Sequence, residues 1–254
     1  MKSQDYIAVF DSGVGGISVL RHLRKLLPKE NFIYFGDCAN APYGSRTTQE
    51  VRALTLAATE KLLRQYPIKA LVVACNTATA MAIEDLRRKY PELIVVGIEP
   101  ALKVGADRFP GGRIGVMATP VTLEGEKFRR LRDRFADRCA VSLIPAPGLA
   151  DLVEAGKQNG PEGEALLRPL LEPYIGKLDA LVLGCTHYPF AQDMIKKILG
   201  SGTVLLDGGE GTAAQTMQLL KQRGLLYDGP GSVEFENSTE DPAMLVLSQN
   251  LARQ

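Results

Sequence analysis

LVVACNT, residues 71–77, and LVLGCTH, residues 181–187, are each an apolar run that ends near a cysteine and passes at once into hydrogen-bonding side chains. A short apolar run bounded in this way reads as a buried strand. Cysteine taken singly is usually a small buried hydrophobe. Here, however, Cys75 and Cys185 stand at the carboxyl ends of their runs, followed by Asn76 and Thr77 in one copy and by Thr186 and His187 in the other.

The correspondence extends beyond the cysteines. IAVFDS (residues 7–12) is matched by IGVMAT (114–119), and IYFGD (33–37) by VSLIP (141–145), in the same order and at nearly the same spacing. Three matches in register imply two similar halves. YIAVF, NFIYFG, ALVVA, LIVVGI, RIGVMA, AVSLIPA, ALVLG and TVLLD all read as short buried strands, with helical spacing between most of them. Val19, Leu20, Leu23, Leu26 and Leu27 form one helix face that stops at Pro28, and Thr47 with Glu50 makes a capping box ahead of Val51, Leu54 and Ala58. Buried strands joined by helices predict an α/β fold of two similar lobes, each with a mainly parallel sheet flanked by helices. Ligands of open parallel sheets collect outside the carboxyl ends of the strands. The active site is therefore expected in a cleft between the lobes, with a thiol on either side.

Composition narrows the function classes. The 254 residues are 45% hydrophobic, with 30 basic against 29 acidic side chains and a formal charge of +1. That balance lacks the electrostatic footprint of a nucleic-acid binder, so no direct nucleic-acid partner is expected. The opening MKSQDYIAVFD holds only a short apolar stretch, and no run approaches a membrane span, which predicts a cytoplasmic protein with no membrane partner. Cys38, Cys75, Cys139 and Cys185 form no C-x-x-C pair, which argues against zinc and against a disulfide scaffold. Reduced thiols and no metal are the expectation.

Two opposed thiols point to a reaction type. Inverting a stereocentre by proton transfer needs a base on one face of the carbon and an acid on the other, and the two exchange roles on reversal. A free thiol with pKa about 8.5 is brought within reach of neutrality by hydrogen-bond donors or positive neighbours. His187 is the better placed of the two histidines to tune a thiol, since His22 falls within the first helix pattern.

FDSGVGGISVL, YFGDCANAPYGSR, ACNTATA and LGCTHYP, taken together and in this order, resemble the cofactor-independent glutamate racemases of bacterial cell-wall synthesis, within the aspartate/glutamate racemase superfamily. The resemblance spans nearly the whole chain. It implies interconversion of L- and D-glutamate by two-base proton transfer, no cofactor, a role in peptidoglycan supply and cell shape, and a homodimer. By position it implies Cys75 and Cys185 as the acid/base groups, with Asp11, Ser12, Pro42, Tyr43, Gly44, Asn76, Thr77, Thr186 and His187 around the substrate. Glu154 takes the place of an acid that assists the histidine, and Thr119 and Thr122 resemble substrate-binding threonines of the second half. The chain departs from the family pattern at Cys38, Val121 and Gly208.

The residues themselves leave several roles open. DSGVGG follows a strand and opens a helix, so its N–H groups suit an anion, and a carboxylate suits them better than phosphate because Asp11 repels multiple negative charge. Asp11 either faces a substrate ammonium or serves Cys75, and glycines that only permit tight packing are the alternative for the turn. APYGSR by itself reads as a structural loop in which Tyr43 offers a ring or a hydroxyl. Resting partly on the resemblance, residues 1–98 are expected as one lobe, rejoined by 208–254 as a loop, a helix, a short strand and a final helix near Asp241. Residues 99–207 form the other. Open alternatives are a racemase of aspartate or another acidic amino acid, a redox protein, and a non-catalytic binding role that includes the gyrase inhibition reported for some family members.

Overall fold

The computed structural model of the chain describes residues 1–239 and 241–253. It divides into two compact units, Met1–Ile98 with the chain from Gly209 onward, and Glu99–Gly208. The second boundary falls after Gly208, one residue later than the sequence places it, because Gly208 continues directly from a strand that ends at Asp207.

The first unit opens with β1 (Tyr6–Asp11), α1 (Ile17–Leu26), β2 (Asn31–Gly36), α2 (Thr48–Gln65), β3 (Ile68–Val73), α3 (Asn76–Lys89) and β4 (Ile94–Gly97). The second contains α4 (Leu102–Arg108), β5 (Arg113–Ala118), α5 (Pro120–Glu124), α6 (Glu126–Asp133), β6 (Ala140–Pro145), α7 (Leu149–Glu154), α8 (Pro161–Leu171), β7 (Ala180–Leu183), α9 (Gln192–Leu199) and β8 (Val204–Asp207). The chain then returns to the first unit with α10 (Gly209–Gln222), β9 (Ser232–Asn237) and α11 (Pro242–Arg253).

Both sheets are parallel, ordered β4-β3-β1-β2-β9 in the first unit and β6-β5-β7-β8 in the second. Pairing β1 with β5, β2 with β6, β3 with β7 and β4 with β8 makes the two orders the same, apart from the added β9. The sequence repeat is thus a repeat of topology.

Local chemistry sets the element ends. Thr47 Oγ1 accepts from Glu50 N at 3.3 Å while the Glu50 carboxylate accepts from Thr47 N at 2.9 Å, which satisfies two donors that α2 would otherwise leave open. At the end of α1, Leu27 leaves helical geometry and turns into the core, whereas Leu26, assigned by spacing to the same apolar face, is 42% exposed.

Alternation along the strands sends side chains to two faces. Ala8, Phe10, Ile33, Phe35, Leu71 and Val73 pack against Val51, Ala58 and Leu62 of α2 and Ala78, Ile83 and Leu86 of α3. Ile7 and Val9 point the other way, where α1 packs with α10 and α11. In the second sheet, Met117, Leu181 and Leu183 meet α7, α8 and α9, while Ile114, Val116 and Val182 meet α4, α5 and α6. Two strands read as buried are edges instead: β6 exposes Ala140, Leu143 and Pro145, and β8 is only half buried, since an edge strand has a neighbour on one side alone. Among the described residues, no helix is long and apolar enough to cross a membrane.

Candidate active site

The parallel register carries Asp11, Ser12, Asp37 and Cys75 to one edge of the first sheet, because Asp11 pairs with Gly36 and Phe10 with Val73. Cys75 caps α3: its Sγ accepts from Ala78 N at 3.4 Å, and the thiol donates to Ser12 Oγ at 3.5 Å. An N–H donor and the positive end of a helix both favour the thiolate. Thr77 is buried behind it, and so is Asn76. Neither Oδ1 nor Nδ2 of Asn76 meets a hydrogen-bond partner among the described residues. A buried amide left in that state costs about 1–3 kcal/mol.

Asp11 is fully buried and accepts from Gly13 N at 3.2 Å. One N–H of the DSGVGG turn is therefore committed to the chain's own carboxylate. A Cβ on Gly16 would lie 2.6 Å from Asp11 Cβ and 3.0 Å from Ala74 Cβ, closer than real contacts allow. The tight-packing reading of this turn holds at Gly16, where the absence of a side chain lets the turn close over Asp11.

APYGSR forms a short 3-10 turn, Tyr43–Ser45, after a cis peptide bond between Ala41 and Pro42, with Gly44 inside the turn. Tyr43 uses both of its options. Its ring packs against Phe10 in the core around Cys75, and its hydroxyl donates to Asp37 Oδ2 at 2.6 Å. Burial first, and then this hydrogen bond, push the phenol far above its usual range, so Tyr43 remains a donor to Asp37. Asn40 Nδ2 also donates to both Asp37 oxygens. Asp37 is not among the residues singled out in sequence, where Asp11 is marked by the DSGVGG turn and the family resemblance, although Asp37 likewise is an acid at the carboxyl end of an apolar run, IYFGD.

On the second unit, Cys185, Thr186 and His187 follow β7 in the same way. The Cys185 Sγ lies 3.8 Å from His187 Nδ1, and His187 Nε2 lies 2.7 Å from Glu154 Oε1. His187 is buried, and Glu154, which looks like an ordinary helical glutamate in sequence, is the last residue of α7. A thiol, an imidazole and a carboxylate in line allow the imidazole to take or return the thiol proton while the carboxylate supports its charged form. Tyr188 anchors the segment by donating to Ala146 O at 2.8 Å. Thr186 is buried beside Cys185. Thr119 caps α5 at the end of β5, accepting from Thr122 N at 3.3 Å, with the two hydroxyls 2.9 Å apart.

All four cysteines are free thiols. Among the described residues, no group of three or more His, Cys, Asp or Glu is gathered as a metal ion would need.

The family model described as Asp/Glu/Hydantoin racemase matches residues 14–216. The chain belongs to that family. A glutamate racemase of Clostridium novyi is 47% identical over 238 residues, covering 92% of this chain and 92% of the relative. Glutamate racemase isoform RacE1 of Bacillus anthracis superposes with a TM-score of 0.88 at 30% identity, covering 99% of this chain and 95% of that one. The Escherichia coli glutamate racemase, solved with L-glutamate and the activator UDP-MurNAc-Ala, gives 0.87 at 30% identity over 98% and 95%. Cys75, Asn76, Glu154, Cys185 and His187 all fall within the family match, while Asp11 and Ser12 lie just ahead of it.

Proposed function

We propose that this protein interconverts L-glutamate and D-glutamate by moving the Cα proton between Cys75 and Cys185, without a cofactor, and so supplies D-glutamate for peptidoglycan in the cytoplasm. The observation that carries the reading is the repetition. Two units of one strand order each place a cysteine at the end of the equivalent strand, and each cysteine has its own hydrogen-bonding neighbours. Family membership and the relatives named glutamate racemase support glutamate as the substrate. The Escherichia coli relative holding L-glutamate supports it further. A homodimer belongs to the same reading and rests on the resemblance alone.

The chemistry requires one thiolate and one thiol addressing opposite faces of the same carbon. The thiolate takes the Cα proton, the carbanion is held, and the thiol delivers a proton to the other face. The enzyme then stands with its two protonation states exchanged, ready for the reverse direction. By family resemblance, Cys185 takes the proton from L-glutamate and Cys75 from D-glutamate. In this reading Asp11 faces the substrate ammonium, and the unpartnered Asn76 amide, with Thr77 and Thr186, receives substrate carboxylates. Thr119, Thr122 and the Pro42–Gly44 turn complete the binding residues.

Incubation of the purified, metal-free protein with L-glutamate in heavy water, with no pyridoxal phosphate added, tests the proposal. D-glutamate should form and carry deuterium at Cα from the earliest time points, because the delivered proton comes from a solvent-exchanged thiol. Early product that keeps its original hydrogen would contradict two bases. Activity that disappears on chelation and returns with metal would contradict cofactor independence. A parallel incubation with L-aspartate decides between the acidic substrates.

A further inference from the structure

Beyond Glu154, the chain is held in place more firmly than a surface loop requires. Helix α7 ends on Glu154, and the following residues turn back on it through Ala155 N to Asp151 O at 3.0 Å and Lys157 N to Leu152 O at 2.8 Å. The carbonyl of Gln158 then approaches α8 so closely that a Cβ on Gly163 would lie 2.0 Å from it. Gln158 Oε1 is buried without a partner among the described residues, a cost that a freely chosen loop conformation would avoid. Next to it, Asn159 Nδ2 donates to Phe190 O at 3.2 Å, and Phe190 N in turn donates to His187 O at 3.1 Å. The segment after Glu154 is thus tied to the turn that begins at His187.

We propose that Asn159 is a positioning residue for the Cys185 side of the reaction. Its hydrogen bond to Phe190 fixes the chain beyond Glu154 against the turn beyond His187. It thereby preserves the 2.7 Å contact between Glu154 and His187 and the alignment of the imidazole on Cys185. Asn159 acts through Glu154 and His187 and touches no reacting atom. Proton transfer falls steeply with misalignment of its partners, so a small movement of either element is felt in the rate. The inference rests on the two-thiol reading above and deepens it, by assigning one thiol a support that lies outside the strand-end motifs.

The test scores one proton removal at a time. Glutamate analogues with a leaving group on Cβ, in L and D forms, lose the Cα proton to the enzyme's base. The leaving group then departs with its bonding pair and a C=C bond forms. Cys185→Ser identifies the enantiomer served by Cys185. Asn159→Ala should slow elimination from that same enantiomer roughly tenfold, about what one lost hydrogen bond permits, and leave the other near the wild-type rate. Asn159→Asp, which keeps the size and lacks the Nδ2 donor, should repeat the asymmetry, so the result does not depend on one variant folding. Lys157→Ala, whose side chain pairs with Glu162 in the first turn of α8, should leave both rates unchanged. Equal slowing of both enantiomers, or no slowing while wild type is active, overturns the inference alone. A wild-type protein that neither racemises glutamate nor eliminates from either analogue overturns the functional reading and this inference together.

Discussion

Cys75 and Cys185 occupy equivalent positions but have different neighbours. Cys75 leans on a helix N-terminus and a serine hydroxyl, and Cys185 on an imidazole backed by a carboxylate. In the proposed two-base mechanism, both are needed to cross the carbon from face to face. Either cysteine replaced by alanine should therefore reduce racemisation by roughly a hundredfold to ten-thousandfold, the range of a lost general acid or base, as followed by chiral chromatography. A variant with the wild-type rate would remove that cysteine from the mechanism. Asn76 gives a prediction of opposite sign for stability and activity. Its buried, unpartnered amide weighs against the folded state, so Asn76→Ala should keep or raise the urea midpoint while kcat/KM for glutamate falls at least roughly tenfold. A parallel fall in both would make Asn76 a packing residue only.

Among the elements, the turn from β1 into α1 joins packing to chemistry. Gly16→Ala must push its new methyl against the Cβ atoms of Asp11 and Ala74, which cannot be relieved by rotating a flexible side chain. A loss of about 1–3 kcal/mol in thermal or urea unfolding is expected, with racemisation falling as Asp11 is displaced. Gly202→Ala is the control, since nothing lies within 4 Å of its Cβ position, and it should be close to neutral. If Gly16→Ala is as mild as Gly202→Ala, the close approach does not hold Asp11 in place.

For the molecule as a whole, the return of the chain after the second unit is secured at the amino edge of the first sheet. Lys69 is buried there against Glu30 and also donates to the carbonyls of Ser3 and Leu225, while Glu30 Oε1 accepts from Tyr227 N at 2.9 Å. One ammonium thus joins the first residues, β3 and the segment between α10 and β9. The hydroxyls of Tyr6 and Tyr66 add bonds to Glu234 and Glu236 of β9. Lys69→Met should cost about 3–5 kcal/mol in urea unfolding, because it leaves the Glu30 charge buried without its counter-ion. Lys69→Met with Glu30→Gln should cost less, since the glutamine is neutral and still accepts from Tyr227. If the double variant is as unstable as the single one, the lost carbonyl contacts outweigh the stranded charge.

The α/β class, the duplication and the strand-end position of the two cysteines were all legible in sequence. Apolar runs, helical spacing and repeated motifs are local properties that a chain carries wherever it folds. Family resemblance added Glu154, which spacing alone leaves as one more helical acid. The tertiary structure decided what depends on residues far apart in the chain. It brought Glu154 to His187, engaged the Tyr43 hydroxyl with the overlooked Asp37, left the Asn76 amide unpartnered, and buried Lys69 against Glu30. It also made β6 and β8 edge strands, because apolar content fixes that a strand forms but its neighbours fix how much of it is covered. Such contacts are set by strand order, register and helix packing, which no single stretch of sequence contains.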